Sequence, residues 1–232
     1  MEIRALKTSL FVAGQDLFLF ITEHIPSLQD GDILVVTSKI VALSENRLIA
    51  KGDNISKEEI IRQESSFALR TSQVYLTIKD GAVMANAGID ESNAGDNFIL
   101  LPKDSFKAAA AIRDYCLKHY QLRALGVIIS DSRCLPLRAG VTGVALGYAG
   151  FCGIKKYRGK EDLFGRPFRF SRVDVADSLA TAAVLCMGEG SERMPLAVVS
   201  GASVEYCDEV NPQELSIDIN EDMYGPLFKA LL

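Results

Sequence analysis

The sequence predicts an α+β (mixed α/β) fold with mixed sheets, hairpins and flanking helices. Residues 127–129 are three β-branched side chains in succession, which is typical of a buried strand. Residues 74–84 place Asp80-Gly81 between two apolar runs, the pattern of a β-hairpin. Helical patterns are interspersed among the strands without the strict alternation of βαβ units, so a purely parallel sheet is not expected.

Hydrophobic periodicity and turn residues locate the other elements along the chain. Apolar runs predict strands at residues 3–6, 33–36, 98–101, 168–175 and 196–200. Periodic patterns with capping residues predict helices at residues 15–24, 57–68, 105–120, 176–187 and 220–232. Ser56 and Glu59 form a capping box at the second of these helices. The glycines of residues 140–150 indicate close packing of the backbone.

Composition restricts the class of protein. The 232 residues fit one large or two small domains, and we expect a single domain over residues 1–232. The net charge of -5 argues against a broad surface for nucleic acid or anionic lipid. With two histidines and no C-x-x-C pair, neither a histidine-based metal site nor a zinc ribbon is expected. Neither G-x-G-x-x-G nor a P-loop occurs, so the sequence has no Rossmann or P-loop motif.

No segment of the sequence indicates a membrane protein. Residues 1–4 lack the apolar region of a signal peptide, and the apolar run at residues 17–21 is too short to span a bilayer. We expect a soluble cytoplasmic protein whose partners are small molecules, with neither nucleic acid nor a membrane among them.

Three acidic residues stand at the ends of predicted elements. Asp131 follows the strand at residues 127–129, which is expected to break at a polar Ser-Asp-Ser segment. Asp90 follows the hairpin, and Glu189 lies between two glycines at a predicted helix end. Ligands of α/β proteins commonly bind where strands end. Each acid taken alone fits an ordinary turn at least as well, because turns are rich in Asp, Asn and Gly.

Hydroxyl and cationic side chains accompany these acids. Ser38 and Lys39 follow the predicted strand at residues 33–36, a setting that suits phosphate contact and equally suits a helix cap with a surface lysine. Arg138 would add charge to the same phosphates. An oxygen-rich ligand set with almost no histidine favours Mg²⁺ or Mn²⁺. These residues predict divalent-metal phosphoryl chemistry without separating a phosphatase from a kinase or a ligase.

Several segments match, in order, the motifs of one family. They are GDILVVTSK at residues 31–39, NAGIDESN at 86–93, ISDS at 129–132, RAG at 138–140, DLFGRP at 162–167, and the stretch from VAD to MGEG at 175–190. On these segments the chain resembles the coenzyme F420:L-glutamate ligases, the γ-glutamyl ligases, over most of residues 5–200. Each segment alone is weakly specific, whereas the ordered set is specific.

The resemblance implies an amide ligase that forms homodimers and uses two divalent ions, GTP as co-substrate and L-glutamate as the amine. Asp90 and Asp131 would hold one ion, while Ser132 and Glu189 would hold the other. The implied catalytic residues are Asp90, Asp131 and Arg138. The residues implied in nucleotide binding are Thr8, Ser9, Leu10, Phe11, Ser38, Lys39, Asn93, Met187, Gly188 and Gly190.

Two departures from the family pattern bear on the nucleotide and the acceptor. Leu43 stands where many members have a lysine, and the loop after Glu189 reads GSERM rather than a Gly-Asp-Gly-like turn. A leucine cannot pair with phosphate, which leaves ATP open as a co-substrate beside GTP. The acceptor is expected to be either coenzyme F420-0-like or folate-like. The alternatives are a non-catalytic nucleotide- or metal-binding protein on the same fold and a metal-dependent phosphatase.

Overall fold

The structure is a computed structural model that describes residues 1–52 and 55–230. Helices and strands are mixed, and strands pair both parallel and antiparallel, so the predicted α+β class is confirmed. The described residues form two compact units, one made of Met1–Arg47 and Pro102–Pro212 and the other of Leu48–Leu101 and the described part of Gln213–Leu232. The expectation of a single domain over residues 1–232 stays a prediction.

The strands of the described part of the chain belong to small and medium sheets. In chain order they are β1 (Glu2–Leu6), β2 (Asp32–Thr37), β3 (Leu48–Ala50), β4 (Phe67–Arg70), β5 (Tyr75–Lys79), β6 (Ala82–Ala85), β7 (Asn97–Ile99), β8 (Leu125–Cys134), β9 (Val141–Ala149), β10 (Ile154–Lys156), β11 (Arg172–Asp174) and β12 (Leu196–Ser200). The predicted hairpin at residues 74–84 is confirmed as β5 and β6.

Side-chain caps define where most helices begin. The helices are α1 (Leu17–His24), α2 (Ser38–Ser44), α3 (Lys57–Glu64), α4 (Ser105–Tyr120), α5 (Val175–Met187) and α6 (Gly225–Lys229). The carboxylates of Asp16, Asp104 and Asp174 accept backbone N–H bonds at the starts of α1, α4 and α5. The predicted capping box of Ser56 and Glu59 is confirmed at α3.

The first unit is built on a mixed sheet with the strand order β1-β12-β2-β8-β9. Strands β2 and β8 are parallel, with Asp32 opposite Leu125 and Thr37 opposite Ser130, and the other neighbours are antiparallel. Residues 33–36 of β2 are fully buried, which explains their continuous apolar sequence. Burying one such side chain contributes about 1.5–3 kcal/mol. Helices α1 and α4 pack on this sheet in one apolar core.

Strand β9 approaches two helices so closely that a side chain would not fit. A Cβ atom on Gly143 would lie 2.5 Å from the Ala180 carbonyl oxygen of α5. A Cβ atom on Gly147 would lie 2.4 Å from the Ser105 carbonyl carbon at the start of α4. The expectation of close backbone packing within residues 140–150 is therefore confirmed.

The second unit contains the antiparallel sheet β4-β5-β6 and the strand pair β3-β7. Its core is formed by Ile60 and Ile61 of α3 with Ala87, Ile89 and Phe98. A largely buried ion pair joins Lys79 Nζ to Glu64 Oε2 at 2.8 Å. These contacts fix α3 against β5 and the short helical turn that follows β6.

Strand β8 differs from the prediction. Rather than breaking after Ile129, it continues through Asp131 to Cys134 and pairs with β9, with a β-bulge between Ile129 and Ser130. Only the parallel pairing with β2 stops at Ser130. The polar segment remains a strand because β9 supplies its backbone hydrogen-bond partners. Strand β9 itself was not predicted, because its glycines weaken the strand pattern in the sequence.

Three predicted elements are much shorter in the structure. Helix α3 ends at Glu64 rather than at residue 68, because Phe67–Arg70 pairs with β5. The strand expected at residues 168–175 is limited to β11, and α5 begins directly after it. The helix expected at residues 220–232 is limited to α6, and residues 231–232 lie outside the described residues.

Candidate functional site

Two backbone hydrogen bonds bring the three predicted nucleotide segments of the first unit together. The Thr8 N–H donates to the Arg193 carbonyl oxygen at 2.9 Å, which joins the segment after β1 to the loop after α5. The Thr37 N–H donates to the Pro195 carbonyl oxygen at 3.0 Å, which joins the end of β2 to the same loop. Residues 8–11, residues 38–39 and residues 187–194 therefore lie side by side.

Ser132 and Glu189, two of the predicted metal ligands, are in direct contact. The Ser132 hydroxyl on β8 donates a hydrogen bond to Glu189 Oε1, just beyond the end of α5. Ser132 is half-buried and Glu189 is exposed, so the oxygen pair lies at the surface of the unit. The structure thus joins the two residues to which the resemblance assigns one ion.

Asp131 precedes Ser132 on β8 and is half-buried. Successive side chains of a strand face opposite sides of the sheet, so Asp131 and Ser132 do not converge on one point. Burial lowers the pKa of the Arg133 guanidinium, while the carboxylates of Asp177 and Asp131 act in the opposite direction. Sequence reasoning missed Arg133, although a charged residue two positions from a candidate ligand on the same strand faces the same side.

The loop after α5 is shaped by two glycines and one glutamate. Gly188 ends the helix with φ +82°, a conformation that favours glycine, and its N–H donates to the Val184 carbonyl oxygen at 2.9 Å. Glu192 folds back so that its carboxylate accepts the Gly190 N–H at 2.8 Å. Met187 is buried, so it anchors the loop in the core and does not present its side chain at the surface.

His24 fixes the segment at residues 8–11. Its Nδ1 lies 2.8 Å from the Phe20 carbonyl oxygen, which can only accept, so Nδ1 carries the proton. Its Nε2 is therefore the acceptor for the Ser9 N–H at 3.1 Å, and the Ser9 hydroxyl lies 3.3 Å away. Sequence reasoning missed His24, because the contact spans 15 residues and leaves no local pattern.

The four residues of this segment differ in exposure. Thr8 is buried and its hydroxyl donates to the Ser9 carbonyl oxygen at 2.7 Å. Phe11 is buried and packs edge-on against Phe20, with ring centroids 4.9 Å apart. Leu10 is 69% exposed. Ser9 and Leu10 are therefore the two that face solvent, while the other two hold the segment in place.

Helix α2 begins where β2 ends, and it carries Ser38 and Lys39 in its first turn. Ser38 is buried and Lys39 is half-buried. Leu43 packs against the apolar core of the first unit, and its carbonyl oxygen accepts the Gly14 N–H at 3.0 Å. The leucine at this family lysine position thus has a packing role.

Arg138 lies in the turn that joins β8 to β9. It is exposed, and its backbone N–H donates to the Leu135 carbonyl oxygen at 3.2 Å. Next to it, Leu137 has φ +56° and is fully exposed. A catalytic role for Arg138 stays a prediction.

Asp90 and Asn93 belong to the second unit. The Asp90 backbone pairs with Ile99, and its carboxylate accepts the Ser92 N–H at 2.6 Å and the Ser92 hydroxyl at 3.0 Å. Asn93 is exposed and has φ +54°. The carboxylate thus holds a turn that presents oxygen atoms, and its pairing with Asp131 stays a prediction.

The turn before Asp90 is locked by a buried hydroxyl. Asn86, Ala87 and Gly88 all have positive φ, an uncommon run for residues with side chains. The Thr77 hydroxyl accepts the Ala87 N–H at 2.8 Å and donates to the Met84 carbonyl oxygen at 2.7 Å. Glu91 then bridges Lys57 and Lys51, whose ammonium groups lower the pKa of its carboxyl.

Residues 1–52 and 55–230 contain neither a group of three metal-ligating side chains nor a membrane-spanning helix. No three His, Cys, Asp or Glu side chains in them are grouped so that they could hold a metal ion. Each predicted ion has at most two carboxylate ligands, so the two-ion hypothesis stays a prediction. None of the described helices combines the length and apolar character needed to cross a membrane.

The sequence is similar to one family throughout most of its length. The sequence model described as F420-0:Gamma-glutamyl ligase matches residues 5–201. The coenzyme F420:L-glutamate ligase of Methanococcus maripaludis strain C7 is 33% identical over 242 aligned residues, which cover 97% of each chain. The enzyme of that name from Methanothermobacter thermautotrophicus is 36% identical over 212 residues, covering 82% of this chain and 84% of the relative. That of Methanocaldococcus jannaschii is 30% identical, covering 89% and 90%.

Proposed function

The chain belongs to the F420-0:gamma-glutamyl ligase family, and we propose that it joins L-glutamate to an acceptor carboxylate through an amide bond at the expense of a nucleoside triphosphate. The observation that carries this proposal is the meeting of three segments of the first unit. The Thr8 to Arg193 and Thr37 to Pro195 hydrogen bonds join the segments that carry Ser9, Ser38 and Lys39 to the loop that carries Glu189, the partner of Ser132. Hydroxyl and ammonium groups suit a polyphosphate, and a carboxylate suits the divalent ion that accompanies it.

An acyl phosphate is the intermediate that this chemistry requires. The acceptor carboxylate oxygen attacks the γ-phosphorus, and the bond from that phosphorus to the β-phosphate oxygen breaks, releasing the nucleoside diphosphate. The glutamate amine then attacks the acyl carbon, phosphate leaves, and the amine loses its proton to solvent. A carboxylate needs this activation because oxide is a poor leaving group, and positioning with charge neutralisation supplies most of the catalysis of phosphoryl transfer.

The donor set fits Mg²⁺ or Mn²⁺. Asp90, Asp131, Ser132 and Glu189 offer oxygen atoms, which these hard cations prefer. Ser132 and Glu189 already share a hydrogen bond, whereas the neighbouring Asp131 faces the other side of β8. The resemblance assigns Asp90 and Asp131 to one ion and Ser132 and Glu189 to the other. Bound ions would neutralise phosphate charge during the transfer.

The other residues would orient the substrates. His24 would hold Ser9 so that its hydroxyl and the neighbouring backbone meet the nucleotide. Ser38, Lys39, Asn93 and the loop at residues 187–194 would contact it as well, and Arg138 would add charge to the phosphates. GTP is the proposed co-substrate, with ATP as an additional one because Leu43 supplies no charge at its position.

The acceptor and the assembly are part of the same proposal. We infer a coenzyme F420-0-like acceptor, which the names of the relatives favour, with a folate-like acceptor as the second candidate. A homodimer is the proposed assembly. Light scattering of the full chain is expected to give twice the monomer mass, and a monomer at working concentration would contradict it.

Mass spectrometry of the products tests the function. The full chain is incubated with Mg²⁺ or Mn²⁺, GTP or ATP, L-glutamate and each acceptor, and a glutamylated acceptor is expected. Asp131→Asn should reduce turnover more than about a hundredfold, which corresponds to about 2.7 kcal/mol of transition-state stabilisation. Asp114→Asn, at an exposed position of α4, is the matched control and should behave like the parent.

Two results would contradict the ligase assignment. Nucleotide hydrolysis that is unaffected when both glutamate and acceptor are omitted would indicate a phosphatase. Saturable nucleotide binding without any product from either acceptor would indicate a non-catalytic binding protein.

A further inference from the structure

Arg133 is a half-buried cation of the first unit. It lies on β8, two positions after Asp131, and its side chain is neither fully buried nor exposed. Within residues 1–52 and 55–230, its guanidinium group takes part in no hydrogen bond and no ion pair. Burial removes part of its hydration, which lowers its pKa, yet an arginine keeps its proton in proteins. A partly desolvated charge without a partner is costly, so a ligand anion would meet it favourably.

Two carboxylates act on Arg133 without pairing with it. Asp177 has the larger effect and Asp131 the smaller, and both favour the charged guanidinium group, although neither forms an ion pair with it in the described part of the chain. Asp177 is engaged elsewhere, because its Oδ1 accepts the Ala145 N–H at 2.8 Å. The two acids therefore stabilise the charge of Arg133 and leave its N–H donors available to a ligand.

The backbone that carries Arg133 is anchored on a helix. Arg133 lies opposite Thr142 of β9, and the Thr142 hydroxyl is 3.1 Å from the Thr181 hydroxyl of α5. The Thr181 hydroxyl also donates to the Gly143 carbonyl oxygen at 2.6 Å. A functional group on a supported strand is positioned more precisely than one on a loop, so the side chain of Arg133 starts from a fixed point.

Arg133 follows two of the predicted metal ligands along the strand. Ser132 directly precedes it and contacts Glu189. Asp131 leaves the same face of β8 as Arg133, and the Cα atoms of the two are about 7 Å apart at the usual rise of a strand. An anion bound to an ion at Asp131 would therefore be within reach of the long side chain of Arg133.

The carboxylate of the acceptor is the anion that most needs such a cation. In the proposed reaction it must approach the γ-phosphate, and the two negative charges repel each other. The residues assigned above serve the nucleotide and the ions, and none of them serves this carboxylate. A guanidinium group donates two parallel N–H bonds to a carboxylate, which offsets the repulsion and fixes the direction of attack. Glutamate fits this place less well, because it enters only after the phosphoryl transfer.

We propose that Arg133 binds the acceptor carboxylate and holds it against the γ-phosphate, an assignment that rests on the proposed ligase function. One carboxylate oxygen supplies the electron pair of the new bond to phosphorus, and the electrons of the broken bond leave with the nucleoside diphosphate. Arg133 keeps its protons throughout and donates hydrogen bonds before and after the transfer. It thereby determines which group of the acceptor is phosphorylated.

Binding measurements with an acid and its amide test this contact. Equilibrium dialysis compares coenzyme F420-0, and in a second series a folate-like acceptor, with the analogue in which the reacting carboxylate is an amide. Mg²⁺ and a non-hydrolysable GTP analogue are present throughout. The parent should bind the acid at least about tenfold more tightly than the amide, the ratio expected for hydrogen bonds to a charged group. Arg133→Gln should reduce this preference to about twofold or less, with an unchanged affinity for the GTP analogue.

Arg172→Gln is the matched control, because Arg172 is an exposed arginine of the same unit. Its preference for the acid should equal that of the parent. The urea midpoint of Arg133→Gln should stay unchanged or rise, because the variant removes a partly buried charge without a partner. If Arg133→Gln does not fold, Arg133→Lys takes its place in the comparison. A lysine attracts a carboxylate without the paired bonds, so the preference should fall without vanishing.

The outcomes separate this proposal from the proposed function. Loss of the acid preference with unchanged affinity for the GTP analogue supports the site. It does so even if the parent forms no glutamylated product, a result that would contradict the ligase function alone. An acid preference of Arg133→Gln, or of Arg133→Lys in its place, equal to that of the parent overturns the proposal. A parent without any acid preference overturns it as well. An equal loss of affinity for the acid and for the GTP analogue also does so, because Arg133 would then contact the nucleotide.

Discussion

The Ser132 hydroxyl donates a hydrogen bond to the Glu189 carboxylate, although 57 residues separate the two in the chain. Ser132 belongs to a strand of the central sheet, whereas Glu189 lies in an exposed loop with glycine on both sides. The contact ties the carboxylate of this loop to the central sheet. It also makes the position of Glu189 depend on Ser132, which is testable.

Glu189→Gln and Ser132→Ala test this dependence. Glu189→Gln keeps the shape of the side chain and removes its charge, so the fold should persist while turnover falls more than about a hundredfold. Ser132→Ala should lower turnover less. The double variant should cost far less than the sum of the two free-energy changes, because residues that act as a unit are not additive. Steady-state kinetics over a range of Mg²⁺ and Mn²⁺ concentrations measures all three.

Glu209→Gln serves as the control for the loss of charge, since Glu209 is exposed in the same unit. Its kinetic constants should match those of the parent. Additive effects of the two site variants at saturating metal would show that Ser132 and Glu189 act independently, and the assignment of one shared ion would then be wrong.

His24→Ala should weaken nucleotide binding more than catalysis. The Nε2 atom of His24 accepts the Ser9 N–H, and this neutral hydrogen bond contributes about 0.5–1.5 kcal/mol, or about two- to tenfold in affinity. The KM for the nucleotide should rise by that factor with little change in kcat. His119→Ala is the matched control, because His119 is the only other histidine of the sequence and stacks on Tyr115 instead. Equal effects of the two changes would contradict a positioning role.

The sequence predicted the parts of the fold in which local pattern and tertiary context agree. The apolar run at residues 33–36 predicted β2, and the Asp80-Gly81 turn predicted the hairpin, because each signal is complete within a few residues. The prediction that the strand breaks after Ile129 was wrong, because the strand conformation of the residues that follow depends on pairing with β9. The residues of β8 do not by themselves indicate that β9 will pair with them.

For the candidate site as well, the sequence predicted some residues and missed others. Glu189 was predicted as an acid at the end of an element, the family resemblance paired it with Ser132, and the structure joins the two by a hydrogen bond. His24 and Arg133 were missed, because their significance comes from contacts or burial that only the folded chain creates. Leu43, a departure from the family pattern in sequence, is explained by its packing in the core.

Gly147→Ala should destabilise the first unit. The new Cβ atom would lie 2.4 Å from the Ser105 carbonyl carbon, which is backbone and cannot move aside easily. Forcing extra atoms into a packed interior typically costs about 1–3 kcal/mol, so the urea midpoint should fall at an unchanged m-value. Gly190→Ala is the control, because the atom nearest to its new Cβ, at 3.3 Å, belongs to the flexible end of Glu192. The free energy of unfolding of this variant should stay within about 0.5 kcal/mol of that of the parent.

Asp30→Asn should remove a pH-dependent part of the stability. The Asp30 carboxylate accepts the Arg123 N–H at 2.6 Å, the Ala124 N–H at 3.2 Å and the Arg123 Nε–H at 3.0 Å. These bonds, led by the Arg123 backbone N–H, hold the pKa of the carboxyl below its usual value of about 3.9. The variant keeps the shape of the side chain but loses the charge and one acceptor oxygen, so the test is the pH dependence of the difference and not its size.

The direction of the effect follows from linkage. A carboxyl whose pKa is lower in the folded than in the unfolded state stabilises the fold above the unfolded-state pKa. This contribution declines as the pH falls below about 4 and is absent once the folded-state carboxyl is protonated. The urea midpoint of the parent should therefore exceed that of Asp30→Asn at pH 7, and this difference should shrink as the pH falls below about 4. Asp114→Asn, at an exposed position without such partners, should show a constant difference from the parent, and a constant difference for Asp30→Asn would contradict the assigned cause.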